Sequence, residues 1–241
     1  MIEWSVDALR GCAAVVVAVP PSSSHHPDQE QVGPADGSTT YVAGGATRAQ
    51  SVSNALAEVE TDLVAIHDAA RPLVTAELLE ALVADLVAAP EADAVIAASR
   101  VADTVKRESI RQKGPSEGHN CRIVEETVDR STLWAAQTPQ VFRTQALRKA
   151  LAVDEATRDA ATDEAMLIEA AGGTVLLHEV SGPNLKVTTP QDLRVAELLL
   201  EDQIHQRRHE AERADAQGDA EVDRAEQAGD GAADGEGEQQ N

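Results

Sequence analysis

Apolar and polar positions alternate in two periods along this chain, and those periods predict most of its elements. Ile2, Val6 and Leu9 recur at helical spacing, so residues 1–10 form a helix. Val15 to Val19 is an unbroken apolar run of strand length, closed by Pro20-Pro21. Tyr41-Val42 is a short strand entering Gly44-Gly45, after which Val52, Leu56 and Val59 mark a helix. Leu63 to Ile66 is a buried strand. Pro72 bars the turn after it from helix, and Thr75 then caps a helix running to Ala89. Leu78, Leu79, Leu82, Val83, Leu86 and Val87 make its apolar stripe, and Pro90 stops it. Ala94 to Ala98 is another apolar strand.

Beyond it the pattern weakens. Residues 107–120 are polar, with a turn at Gly114-Pro115, and Ile123 to Val128 is extended again. A hairpin arm over about 104–130 accounts for this, and a two-stranded arm needs something to pack on, such as a second subunit. Leu133-Trp134 leads to a turn at Gln137-Thr138-Pro139-Gln140. Helices open at Thr144 and at Thr162-Asp163-Glu164, the second ending at Gly172-Gly173. Thr174 to Val180 is a strand and Asn184 to Val187 a short one. Thr189-Pro190-Gln191-Asp192 is a capping box opening the last helix, which frays into charge after Leu200. This strand–helix alternation predicts a doubly wound α/β domain with one projecting arm.

Charge separates the body from the tail. Net charge is −22, and thirteen acids against four arginines over 201–241 supply −9 of it. The tail has too little large apolar surface to offset chain entropy. The division is thus an α/β domain over 1–204 and a disordered acidic tail over 205–241. The remaining acidity excludes non-specific nucleic-acid binding, which needs a basic face. Aromatics are only 2%, so the core is mostly Ala, Val and Leu. Cys12 and Cys121 lie far apart, as reduced thiols of a cytoplasmic protein do. No apolar run approaches 18 residues, and no secretory signal opens the chain, so neither a membrane span nor export is expected. His25 and His26 have no acid or cysteine at ligand spacing and are surface loop residues.

Candidate chemistry centres on Ala65-Ile66-His67-Asp68-Ala69-Ala70-Arg71-Pro72. A strand delivers Asp68 and Arg71 to the carboxyl end of a sheet, where open α/β folds bind ligands. There an acid can hold a divalent cation and an arginine a phosphate, although the same pair would also make a surface salt bridge. Gly44-Gly45 before a helix lets backbone approach a ligand, and the first N–H groups of that helix favour anions.

In order along the chain, GGATRAQSV, HDAARPLVT, DTVK, DRSTLW, QTPQVF, TDEA and NLKVTTPQDL resemble segments of the 2-C-methyl-D-erythritol 4-phosphate cytidylyltransferase family. The resemblance spans about 1–200. It implies a twisted, mainly parallel nucleotidyltransferase-like sheet and a β-arm that crosses to a partner in a homodimer. It also implies a cytoplasmic enzyme of non-mevalonate isoprenoid synthesis. There the phosphate of 2-C-methyl-D-erythritol 4-phosphate attacks the α-phosphorus of CTP and expels pyrophosphate, with Mg²⁺ present. By the same resemblance Gly45, Ala46 and Ser51 face the cytosine and ribose, and Asp68 stands near the metal and nucleotide. Arg71 and Lys186 stand near the phosphates, and Thr162 lies beside the phosphosugar. Thr104, Arg130 and Thr138 complete the sugar-phosphate site from the arm. A sister group uses ribitol 5-phosphate; HDAARP leans to the methylerythritol substrate, the sister pattern being bulkier there.

The family opens with a strand and a glycine-rich loop that carries an arginine and a lysine around the triphosphate. Met1 to Val6 corresponds to a helix that follows that loop, and no such segment occurs elsewhere. The resemblance therefore implies either an internal methionine or a truncated, sugar-phosphate-binding copy. As written, the chain is expected to fold poorly or turn over negligibly, and to be active when extended upstream by roughly 30 residues, the scale of one strand, loop and turn.

Overall fold

The computed structural model describes residues 1–11, 13–20, 39–109 and 122–206. Cys12, Cys121, the loop with His25 and His26, the Gly114-Pro115 turn and the tail from 207 lie outside the described residues. The chain divides into two compact units, 1–187 and 188–241.

In the first unit, helix α1 (Ile2–Leu9) precedes strand β1 (Val15–Val19), which pairs in parallel with β2 (Thr39–Ala43). β2 feeds the Gly-Gly turn and helix α2 (Arg48–Leu56), capped by Thr47. Strand β3 (Leu63–Ile66) is not the buried strand expected but an edge strand of partial exposure. It leads through the Asp68–Arg71 loop to α3 (Ala76–Ala88), whose cap Thr75 accepts from Leu78 N as its sequence predicts. Strand β4 (Ala94–Arg100) leads to the arm, β5 (Lys106–Glu108) and β6 (Val124–Thr127), an antiparallel ribbon exposed along both strands. Then come β7 (Trp134–Arg143), α4 (Thr144–Leu151), α5 (Glu155–Ala160), α6 (Glu164–Ala170) and β8 (Val175–Glu179).

A four-stranded sheet runs β3-β7-β4-β8. β4 and β8 are parallel, while β7 runs antiparallel between β3 and β4. Side chains alternate across it. Ala94, Ile96 and Phe142 face a core with Leu56 of α2, Leu147 and Leu151 of α4 and Leu167 and Ile168 of α6. Val95, Ala97 and Val141 face the other way, against Leu79, Leu82 and Leu86 of α3. Helices thus cover both faces, as the doubly wound reading requires.

The structure corrects two further expectations and adds one helix. Gln137-Thr138-Pro139-Gln140 is not a turn but the middle of β7. The β4 ladder steps from Ile96↔Gln140 to Ala98↔Ala136, so Pro139 sits at an irregularity where its missing N–H breaks no ladder bond. Asn184 to Val187 forms no strand. The segment is pinned singly instead, Val187 N donating to Ala70 O at 2.7 Å. Helix α5, short and without an apolar stripe, gave no periodic signal; Asp154 caps it, accepting from Thr157 N.

In the second unit a helix occupies 190–206. Thr189 Oγ1 accepts from Asp192 N at 3.2 Å, and Asp192 Oδ2 accepts from Thr189 N at 2.8 Å, the reciprocal box expected. Hydrogen bonds from the Thr188 amide and hydroxyl and from Thr189 N push the Asp192 carboxyl down to about 2. Among the described residues no helix is long and apolar enough to cross a membrane.

Candidate functional site

Asp68 leaves the end of β3 half-buried, and the cations around it come from distant parts of the chain. Lys186 Nζ donates to Asp68 Oδ2 at 2.7 Å. Arg48 Nε and Nη2 both donate to Asp68 Oδ1 at 3.2 Å. The other end of that guanidinium, Nη1, lies 2.7 Å from each carboxylate oxygen of Glu164. Burial alone would raise the Asp68 carboxyl, but Lys186 and Arg48 outweigh it and hold it below the usual carboxylate range. Arg48 was not singled out from the sequence, nor was Glu164. The signal available was a basic residue in the first turn of a helix, where the macrodipole disfavours it.

Arg71 is placed by the same loop. Its N–H donates to Asp68 O at 2.8 Å, and its Nη1 donates to Asn184 O at 2.6 Å. Burial holds the Arg71 guanidinium below its ordinary value, against the attraction of Asp68. Its Nε is buried without a hydrogen-bond partner. A planar guanidinium with its charge held beside Asp68 is suited to an oxyanion. Asn184, 6% exposed, anchors the segment that carries Lys186. Its Nδ2 donates to Gln137 Oε1 and to Thr138 O, both at 2.9 Å.

Behind the loop runs a directed hydrogen-bond chain. Asp68 N donates to Thr138 Oγ1 at 3.0 Å, and that hydroxyl lies 3.2 Å from His67 Nδ1. His67 Nε2 is 3.1 Å from Arg71 O. A carbonyl can only accept, so Nε2 carries the proton and Nδ1 accepts from Thr138. Burial drives the His67 imidazole down to about 4, which keeps this tautomer neutral. The folded value lies below the unfolded one, near 6.5, so the unfolded chain binds more protons between them. Stability is therefore full above about pH 6.5 and falls as pH drops toward 4. Urea unfolding at pH 7 and pH 5 should show this loss, and His67→Gln should remove most of it. An equal loss in both proteins would contradict the assignment.

At the glycine turn, a Cβ on Gly45 would lie 2.2 Å from Gln50 Cβ, so only glycine fits. Gly45 N donates to Ser51 Oγ at 3.0 Å and Ala46 N to Gln50 Oε1 at 2.9 Å. These two amides are spent inside the turn, ahead of the first N–H groups of α2. Side chains of α5 reach the same corner, where Thr47 Oγ1 donates to Asp159 and Gln50 Nε2 to Glu155.

Of the remaining expected residues only Thr138 reaches Asp68, and it does so through the backbone. Thr138 belongs to β7 rather than the arm, is 4% exposed, and acts on the backbone of Asp68. Thr162 is exposed and faces Met166, two residues before the buried Glu164. Thr104 and Arg130 are exposed near the two ends of the arm. For a metal, Asp68 is a lone carboxylate, and among the described residues no three His, Cys, Asp or Glu side chains converge. Such a site fits Mg²⁺ only where phosphate oxygens complete its shell, which is how Mg²⁺ is commonly held.

Residues 1–202 match the family described as IspD: 2-C-methyl-D-erythritol 4-phosphate cytidylyltransferase. A bifunctional enzyme IspD/IspF of Anaeromyxobacter dehalogenans is 42% identical over 204 residues, 83% of this chain and 50% of that protein. A 2-C-methyl-D-erythritol 4-phosphate cytidylyltransferase of Symbiobacterium thermophilum is 44% identical over 170 residues, 70% of this chain and 66% of that one. The chain thus spans half of the first relative's length and just under two thirds of the second's. Among solved structures, the enzyme of that name from Thermus thermophilus superposes with a TM-score of 0.64 at 33% identity, covering 82% of this chain and 87% of that one.

Proposed function

Because the chain belongs to the 2-C-methyl-D-erythritol 4-phosphate cytidylyltransferase family, we propose that it catalyses cytidylyl transfer from CTP to 2-C-methyl-D-erythritol 4-phosphate. A phosphate oxygen of the sugar alcohol bonds to the α-phosphorus of CTP. The bond from that phosphorus to the bridging oxygen breaks, and pyrophosphate leaves with the electron pair. The observation that carries this reading is the convergence of Asp68, Arg71 and Lys186, which lie up to 118 residues apart, at one strand end.

Transfer of this kind depends on placing two anions together and neutralising the charge that develops, not on a protein nucleophile. Lys186 and Arg71 supply that charge beside the phosphates. Gly45, Ala46 and Ser51 take the cytosine and ribose; with the two amides turned inward, the turn offers its carbonyls and Cα surface. Thr162 lies beside the sugar phosphate. Asp68 would hold Mg²⁺ together with the phosphates, and the ion would neutralise the triphosphate.

The arm is read as a dimer device. β5 and β6 hydrogen-bond to each other and expose every residue, which suits a ribbon that lies on a second copy. Thr104 and Arg130 then complete the partner's sugar-phosphate site, as a two-fold interface allows. A cytoplasmic setting fits a metabolic enzyme with two separated cysteines. The test is pyrophosphate release from CTP with either sugar phosphate, alongside light scattering. Turnover with methylerythritol phosphate by a dimer is expected of the protein extended upstream by roughly 30 residues. Turnover with ribitol 5-phosphate alone would reassign the substrate, and a fully active monomer would refute the arm's role.

A further inference from the structure

We infer that Arg48 is a positioning residue for the reaction, holding the Asp68 carboxylate in place from a buried anchor on Glu164. The inference rests on the proposed function for its reaction, but its geometry stands by itself. Arg48 is the first residue of α2, where the helix field opposes a cation and local preference favours an acid. A residue placed against its local preference needs a compensating partner elsewhere.

Two partners supply it. The Glu164 side chain is 2% exposed and opens α6, and its two oxygens receive Nη1 at 2.7 Å. This is the short, buried end of the contact. The Nε–Nη2 edge then reaches Asp68 Oδ1 at 3.2 Å, the longer and more exposed end. A guanidinium is a rigid plane, so fixing Nη1 on Glu164 fixes where the opposite edge points. One side chain therefore ties together the glycine turn, the loop after β3 and the start of α6. Asp68 in turn has its second oxygen on Lys186 at 2.7 Å. Displacing Asp68 would displace Lys186 with it, so Arg48 governs two groups of the site without needing to touch substrate.

Replacing Arg48 alone would strand the buried Glu164, so the variant chosen is Arg48→Gln with Glu164→Gln, an uncharged pair that can still hydrogen-bond. In that double variant kcat should fall about 100-fold, the scale of a small misplacement of reacting groups, with KM for the sugar phosphate within about threefold. Arg48→Lys keeps the charge but not the fork and should recover less than a tenth of the activity. On an Asp68→Asn background the Gln pair should add little further loss, because both changes act through one carboxylate. Losses that multiply, or full activity in Arg48→Lys, would overturn the inference. The same cycle run on CTP affinity by calorimetry separates the two readings. Coupled CTP binding in the upstream-extended protein without turnover rejects the reaction and keeps the role of Arg48. Turnover with additive losses rejects Arg48 and keeps the reaction. A protein that neither binds nor consumes CTP rejects both.

Discussion

Asn184→Ala should weaken the protein and, on the proposed function, its hold on the sugar phosphate together. The side-chain amide of Asn184 donates to Gln137 Oε1 and to Thr138 O, both at 2.9 Å. Leaving a buried acceptor unmet costs about 1–3 kcal/mol each, so urea unfolding should register a loss of about that size or up to twice it. The functional effect is larger, because the segment held by Asn184 carries two determinants of the site. Its own carbonyl receives Arg71 Nη1 at 2.6 Å, and Lys186 lies two residues on. Loosening it displaces both cations, and the affinity for 2-C-methyl-D-erythritol 4-phosphate, read by calorimetry, should fall about 100-fold. Unchanged affinity would mean that Val187 N on Ala70 O holds the segment without Asn184.

Phe142→Ala should cost about 3–5 kcal/mol, the usual range for emptying a large core site. Phe142 is fully buried on β7, opposite Val64 of β3 and Ala94 of β4, over Leu147, Leu151 and Ile168. Three elements close on this ring, so the cavity cannot collapse without moving the sheet. A loss of that size is a large part of the 5–15 kcal/mol that separates typical folded and unfolded domains. Phe142→Leu, which keeps much of the volume, should lose clearly less. Equal losses in the two variants would show that shape, not filled volume, decides the site.

By itself the sequence determined the elements whose burial is local and periodic. α1, α3, β1, β3, β4 and β8 follow from apolar spacing, and the caps at Thr75 and Thr189 from the chemistry of short polar side chains. Asp68, Arg71 and Lys186 were named as candidates by ordered motifs without any knowledge of distance, and the fold brings the three close together. What only the tertiary structure decided is whatever depends on a partner far along the chain. β7 runs through Pro139 because the irregular step in the β4 ladder accommodates it, a condition absent from the local sequence. The segment from Asn184 to Val187 looks like a strand but is fixed by side-chain bonds to β7 and one backbone bond to Ala70. Arg48 looks like an exposed helical residue until Glu164, 116 positions on, is brought against it. Periodicity records which face of an element is buried, and nothing in it records which buried charge another element will bring.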